Sequence, residues 1–478
     1  MARIPMADIV VLLPGITGSV LSRNGKDVWA PSPSAAWGAL ASLGHSVELL
    51  ELGEDDWHVD DLGDGVVAER LVPDLHTLPG LWKIDGYTEI ETFLRARFDL
   101  AEGQNYFPFP YDWRRDNRAA ARRLAEQSST WLRNWREASG NAGAQLVLIG
   151  HSMGGLVARY FVEALGGWKD TRAVVTFATP FYGSLNAVEF LCNGFHKRIG
   201  PFEQDLTRLL RSFTGLHQLV PAYKCVYGED GPATTPAMAG LPGWRPQWSS
   251  HLTDFAGEME AAATANRQDS AWGSNPVVYH PIVGMDQPTR QSARLADHKV
   301  ETLMTRGDSD EGGDGTVPKL SAALSGTEDA RTFVPQKHGS LQKQAAMLDH
   351  LQGILQSLHD IRVGDLRDGM TVWFSHLGDD LYLADEPVVC EIGANSALSG
   401  SELSEVPARL SVTDRSTGRP VVDRAVTVPR ERRRFDLGVL PAGTYDLLVR
   451  AGRGTAPLSD VFLVAGPDGM AAMDGMDR

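Results

Sequence analysis

The 478 residues predict an α/β fold with a mainly parallel central sheet, followed by a small all-β domain. Three observations carry that prediction. Near-continuous runs of Val, Ile and Leu mark strands covered on both faces, as in a parallel sheet. Helical patterns lie between those runs, and strand–helix alternation is the pattern of an α/β domain. Past about residue 360 the helical patterns stop, and short alternating segments separated by turn residues take over.

The elements follow in order. "IVVLLPG" (9–15) reads as a buried strand ending in a turn, and so do "AQLVLIG" (144–150), "RAVVTFATP" (172–180) and "NPVVYHPIVG" (275–284). "NRAAARRLAEQSSTWLRNWREA" (117–138) and "GLVARYFVEAL" (155–165) read as helices, and "QAAMLDHLQGILQSL" (344–358) as the last one. Two stretches interrupt the alternation. Residues 20–90 carry Trp29, Trp37, Trp57 and Trp82 among turns and acidic residues, and residues 185–274 carry more aromatics and a Pro/Gly-rich run. Insertions of this length build lids or binding loops, or serve as packed surface decoration. The expected division is residues 1–363 for the α/β domain with its insertions, 368–466 for a β-sandwich, and 467–478 for a loose tail.

Bulk composition narrows the functional classes. A formal net charge of −16 disfavours non-specific binding to nucleic acid or to anionic membrane surfaces, which need clustered positive charge. Cys192, Cys225 and Cys390 are too few and too odd for a disulfide framework. A Cys192–Cys225 pair is set against buried free thiols, and free thiols are favoured. No zinc-type Cys/His spacing occurs, so neither metal nor cofactor is expected. The amino-terminal apolar run is short and enters a Pro-Gly turn, which reads as a first strand and not as a signal peptide. No run reaches the roughly 18 apolar residues of a membrane helix. These readings lead to the expectation of a cytoplasmic protein.

One serine has the context of a nucleophile. In "LIGHSMGGLVARYF" (148–161), Ser152 lies between glycines, directly after an apolar strand and directly before a helix. That is the strand-to-helix turn of a nucleophile elbow, with the helix N-terminus aimed at the serine. The string alone is weak evidence: Gly-His-Ser recurs at 44–46, where no buried strand precedes it, and Ser46 reads as a turn residue. A serine hydroxyl needs a base to take its proton. Of thirteen histidines, His338 fits best, in a short loop between a strand and a helix near the end of the α/β domain. His151 should point away from the hydroxyl, and His350 and His359 lie in an apparent helix.

The acid should precede His338 in the chain. Asp314 in "GDGTVP" sits in a Gly/Pro turn that would hold a carboxylate rigidly against one imidazole tautomer. Asp308, Asp310 and Glu311 read as solvated loop charges. A calcium loop fails there, because Gly312 and Lys319 would occupy ligand positions. The Met153 amide is one candidate oxyanion donor and the Ile16 amide, in "LLPGITGS", the other. The alternative for the latter is a plain turn at a strand end.

Together these pieces resemble the lecithin–cholesterol acyltransferase family of α/β-hydrolases, including its lysosomal phospholipase A2-like and phospholipid–diacylglycerol acyltransferase-like members. "LPGITGSVL" (13–21), "DGYTEIETFL" (85–94), "PYDWR" (110–114), "GHSMGGLVARYF" (150–161), "TPFYGSLNAV" (179–188), "GDGTVP" (313–318) and "KHGS" (337–340) occur in family order, over about residues 8–358. The resemblance implies a Ser152–Asp314–His338 triad, an oxyanion hole from Ile16 and Met153, a lipid acyl-ester substrate with contact at a lipid interface, a lid, and water or a lipid alcohol as acceptor. The chain departs from the family in lacking its signal peptide and cysteine pattern. It also carries Ile16 where some relatives have a polar residue, and it has an added carboxy-terminal β region. There, "LPAGTYDLLV" (440–449) resembles transthyretin-like or immunoglobulin-like accessory domains. Tyr111, Asp112, Trp113 and Arg114 read as architectural. The rival class is a non-catalytic scaffold that recruits a protein partner through its β domain, with "PRERRRF" (429–435) as basic contact or as a solvated strand edge.

Overall fold

The structure is a computed structural model that describes residues 3–30, 48–73, 86–199, 202–228, 232–274, 276–327, 330–358, 372–379, 381–396, 405–452, 455 and 457–465. Ser46, Trp37, Trp82, His359, the expected boundary at 363–368 and the tail at 467–478 lie outside these residues.

Six parallel strands form the central sheet: β1 (Ile9–Leu13), β2 (Tyr106–Pro108), β3 (Leu146–His151), β4 (Thr171–Phe177), β5 (Val278–Gly284) and β6 (Thr332–Val334). Their spatial order is β6-β5-β4-β3-β1-β2. All neighbouring pairs run parallel. The four expected buried strands are thus β1, β3, β4 and β5. β6 is the strand expected before His338, and β2, with three residues, is too short to announce itself by pattern.

The sheet is buried on both faces because successive side chains point to opposite sides. Ile9, Val11, Leu13, Leu146, Leu148 and Val174 enter one apolar cluster, while Val10, Leu12, Val147, Ile149, Val175 and Ile282 enter a second. Each such side chain contributes roughly 1.5–3 kcal/mol on full burial. Helices α2 (Asn117–Ser139) and α3 (Met153–Ala164) cover the first face, and α1 (Thr88–Arg97) and α6 (Ala345–Ser357) the second. Helix α2 begins with Asp116 accepting from the Arg118 amide and ends at Gly140 in the left-handed region, a capped start and a glycine stop.

The stretch 185–274 contains α4 (Leu185–Cys192) and the 23-residue α5 (Pro246–Gln268). Trp248, Leu252, Phe255, Met259 and Ala263 of α5 are buried, and Tyr160 of α3 stacks on Phe255 at 5.4 Å. This helix is therefore docked on the core. In the stretch 20–90, Trp29 packs edge-on against Trp113 at 5.1 Å.

The carboxy-terminal region adds two sheets. β7 (Val372–Gly378), β9 (Pro387–Ser396) and β12 (Arg433–Val439) form one, in the order β7-β9-β12. β8 (Leu381–Leu383), β10 (Glu405–Asp414), β11 (Arg419–Pro429), β13 (Gly443–Arg450) and β14 (Leu458–Ala465) form the other, in the order β8-β14-β13-β10-β11. Both contribute to one apolar cluster containing Phe374, Ile392, Phe435, Leu410, Tyr445 and Phe462. Among the described residues of this region the first strand begins at Val372. Residues Arg430–Arg434 are exposed at the turn between β11 and β12, with Arg433 near Glu405 at 3.5 Å.

All three cysteines are free. Burial pushes each thiol up to about 12, so they stay protonated and unreactive. Among the described residues no helix is long and apolar enough to cross a membrane, and no cluster of three or more His, Cys, Asp or Glu could hold a metal ion.

Candidate active site

Ser152 occupies the turn from β3 into α3 with φ 50° and ψ −124°, a backbone conformation few non-glycine residues adopt. A serine that merely caps a helix accepts a hydrogen bond from the first-turn amides. Ser152 makes no such bond. Its hydroxyl instead lies 2.9 Å from His338 Nε2. The elbow is anchored from behind by the Ser152 amide, which donates to the Phe177 carbonyl of β4 at 2.8 Å.

His338 opens a short 3₁₀ turn that follows β6. Its Nδ1 is 2.8 Å from Asp314 Oδ2, and its backbone amide donates to the Asp314 carbonyl at 2.8 Å. The other carboxylate oxygen, Oδ1, accepts from the Thr316 and Val317 amides at 2.9 and 2.7 Å. The Gly/Pro turn thus presents two amides to one oxygen and leaves the second for the imidazole. Ser152, Asp314 and His338 are 4%, 1% and 4% exposed, respectively. A chain of hydrogen bonds so far removed from water is held in one geometry. Asp310 and Glu311 stay in the loop, where Asp310 accepts from Gln291 and Glu311 lies near Arg306.

The loop after β1 packs directly on the elbow. Gly15 and Gly18 close a turn through Gly18 N to Gly15 O at 3.0 Å, with Ile16 and Thr17 between them. A Cβ on Gly15 would stand 2.9 Å from the Ser152 Cβ, and one on Gly154 would stand 2.4 Å from the Pro14 carbonyl oxygen. Ile16 therefore sits in the segment beside the serine. Met153 is the first residue of α3, whose first-turn amides lack intrahelical acceptors.

Sequence reasoning did not foresee a second set of residues. His151 does point away from the serine hydroxyl, and it makes a brace. Tyr87 Oη accepts from the Gly15 amide at 2.7 Å and lies 2.9 Å from His151 Nδ1, while His151 Nε2 lies 3.2 Å from the His338 carbonyl. With the Tyr87 hydroxyl donating to Nδ1, the imidazole proton sits on Nε2 and donates to that carbonyl. One buried chain thereby ties the loop after β1 to the His338 segment. Only the adjacency of His151 to Ser152 hinted at it.

The "PYDWR" residues act as struts. Tyr111 donates to the Pro14 carbonyl at 2.8 Å, and complete burial, with Tyr87 close by, holds its hydroxyl well above the usual range. Arg114 is fully buried and paired with Asp112 at 2.6 Å and Asp64 at 2.8 Å. Burial alone would lower its pKa, but the two carboxylates raise it. A cleft of about 420 Å³ opens beside Asp314 and His338, with Arg290 and Glu189 on one wall and residues 376–378 of β7 on another.

The model of the family Lecithin:cholesterol acyltransferase matches residues 84–240. The match includes "PYDWR" and the elbow. It ends before Asp314 and His338 and begins after the Gly15 loop, a shorter extent than the motif resemblance suggested. No curated protein matches the chain. Among solved structures, the chain is similar to the lipase BlEst2 of Bacillus licheniformis in its propeptide form. That alignment has 10% identity and a TM-score of 0.31, over 97% of this chain and 95% of that one. Phospholipase PlaB from Legionella pneumophila aligns at 11% identity and a TM-score of 0.28, over 96% and 92%. The CARDB domain of PF1109 from Pyrococcus furiosus aligns at 12% identity and a TM-score of 0.16, over 22% of this chain and all of that one. At these scores nothing about this chain rests on the structural likenesses. The parallel sheet with its serine elbow is an α/β-hydrolase core, and residues 84–240, which hold that elbow, match the model of the lecithin:cholesterol acyltransferase family.

Proposed function

We propose that the protein is a serine-dependent enzyme that transfers the acyl group of a lipid ester through an acyl-enzyme on Ser152, in the manner of a lipase, phospholipase or acyltransferase. The carrying observation is the hydrogen-bonded series Ser152–His338–Asp314, at 2.9 and 2.8 Å, drawn from three distant segments into one buried site. The family match over residues 84–240 supports the lipid class of the substrate.

In this reading His338 Nε2 takes the Ser152 proton as the oxygen attacks the ester carbonyl. The tetrahedral oxyanion rests on the Met153 and Ile16 amides, where one well-placed donor is worth about 3–4 kcal/mol of barrier. His338 then protonates the departing alcohol. Water or a lipid alcohol enters by the same route and releases the acyl group. Asp314 orients the imidazole and stabilises its charged form, while its Thr316 and Val317 contacts keep the carboxylate in place. The chemistry calls on no metal or cofactor.

Ser152→Ala should abolish turnover of mixed phospholipids and neutral esters, while circular dichroism stays that of the parent. Mass spectrometry of the parent reaction, with and without an added lipid alcohol, counts free fatty acid against new ester and so identifies the acceptor. Full turnover by Ser152→Ala refutes the acyl-enzyme.

A further inference from the structure

The carboxy-terminal sheets touch the α/β-hydrolase core where the His338 and Asp314 segments run. Gln336, two residues before His338, donates from Nε2 to the Pro457 carbonyl at 2.6 Å. Lys337, immediately before it, donates from Nζ to Asp460 Oδ2 of β14 at 2.7 Å. Gln344, just past the 3₁₀ turn, donates to Ser459 Oγ. The acid side is gripped as well. The Gln287 amide donates to the carbonyl of Gly313, the neighbour of Asp314, at 2.9 Å. The Gln287 side chain in turn accepts from the His376 amide at 3.1 Å and donates to the Phe374 carbonyl of β7 at 3.4 Å. The two grips meet, because His376 Nδ1 lies 2.8 Å from the same Asp460 Oδ2.

We infer that Asp460 is a positioning residue for the proton-transfer machinery: through Lys337 and His376 it fixes the segments that carry His338 and Asp314, which makes the carboxy-terminal β region a working part of the site. This inference rests on His338 acting as the base of Ser152. Physical reasons favour a directed role over plain adhesion. The Asp460 and Lys337 side chains are 5% and 18% exposed, so the ion pair is largely screened from water and sets a definite geometry. His338 must satisfy hydrogen bonds at both ring nitrogens, so the segment that carries it has to be held in place. A shift of about 1 Å in a reacting group costs on the order of 100-fold in rate. Residues 376–378 of β7 also line the cleft beside Asp314 and His338.

The test uses the full-length protein and a soluble short-chain ester. Asp460→Asn keeps the shape of the side chain and removes its charge. The expected result is a roughly 10- to 100-fold fall in kcat per folded enzyme, with KM within about twofold of the parent. Labelling of Ser152 by a fluorophosphonate should slow in parallel. Lys337→Met should reproduce the loss, and Lys337→Arg, which keeps the cation, should recover most of it. Asp423→Asn breaks an exposed ion pair with Arg409 on the outer strands and serves as the control with parental turnover. If Asp460→Asn does not fold, Lys337→Met carries the decision. Parental kcat in Asp460→Asn or Lys337→Met overturns the inference, and so does a loss that only tracks the folded fraction. An active Ser152→Ala would overturn the acyl-enzyme reading. An inactive Ser152→Ala beside a fully active Asp460→Asn overturns the tie alone.

Discussion

Gly154→Ala is the sharpest probe of how the elbow is built. The added Cβ would stand 2.4 Å from the Pro14 carbonyl oxygen, 2.6 Å from the Leu13 oxygen and 2.8 Å from the Leu13 carbonyl carbon. All three are backbone atoms at the end of a central strand, so none can swing aside as a flexible side chain does. Restoring ordinary contact requires the first turn of α3 and the end of β1 to part by about 1 Å, and such overpacking costs roughly 1–3 kcal/mol. The movement separates the Met153 amide from the Ile16 segment and carries Ser152 away from His338. A misplacement of that size predicts a kcat about 100-fold lower. The assay is burst-titrated turnover of a soluble ester, paired with thermal unfolding. Parental kcat in a folded Gly154→Ala protein would refute the close apposition of elbow and loop on which the oxyanion reading depends.

Two further outcomes are expected. Tyr87→Phe leaves the Gly15 amide and His151 Nδ1 without the hydroxyl between them, at a cost of roughly 1–3 kcal/mol in stability, measurable by denaturant titration, and kcat should fall with it. His217 is pulled down to about 3 by burial and by the adjacent His251, so it folds neutral. The unfolded chain binds that proton near the ordinary histidine value of about 6.5, and the native state does not until about pH 3. Its contribution is therefore intact above about pH 6.5 and is lost as pH falls towards 3, at up to about 1.4 kcal/mol per pH unit. His217→Gln should flatten that part of the stability–pH curve, and an unchanged slope would rule out His217 as its source.

Much of the fold was legible because its signals are local. Buried parallel strands leave apolar runs, as in Ile9–Leu13 and Leu146–His151, and α2 carries its own cap and its own glycine stop. The short strand β2 was not legible, since three residues beside a formed sheet pair through backbone hydrogen bonds that no side-chain pattern encodes. Strands β7 to β9 lie in the stretch assigned to the β-sandwich, but their pairing was not legible, because their partners lie tens of residues away.

At the site, the sequence alone determined the types of group and their surroundings. A serine between glycines at a strand-to-helix turn, a carboxylate in a Gly/Pro turn and a histidine in a loop after a strand can each be read locally, because backbone conformation and near neighbours decide them. Only the tertiary structure decided which groups meet. It turned the Ser152 hydroxyl from a cap towards His338, joined Tyr87 to His151 across 64 residues, and brought Asp460 to Lys337 across 123. Those contacts depend on where whole strands and sheets pack. That placement follows from the burial of two apolar faces at once, a property of the folded chain and not of any one of its segments.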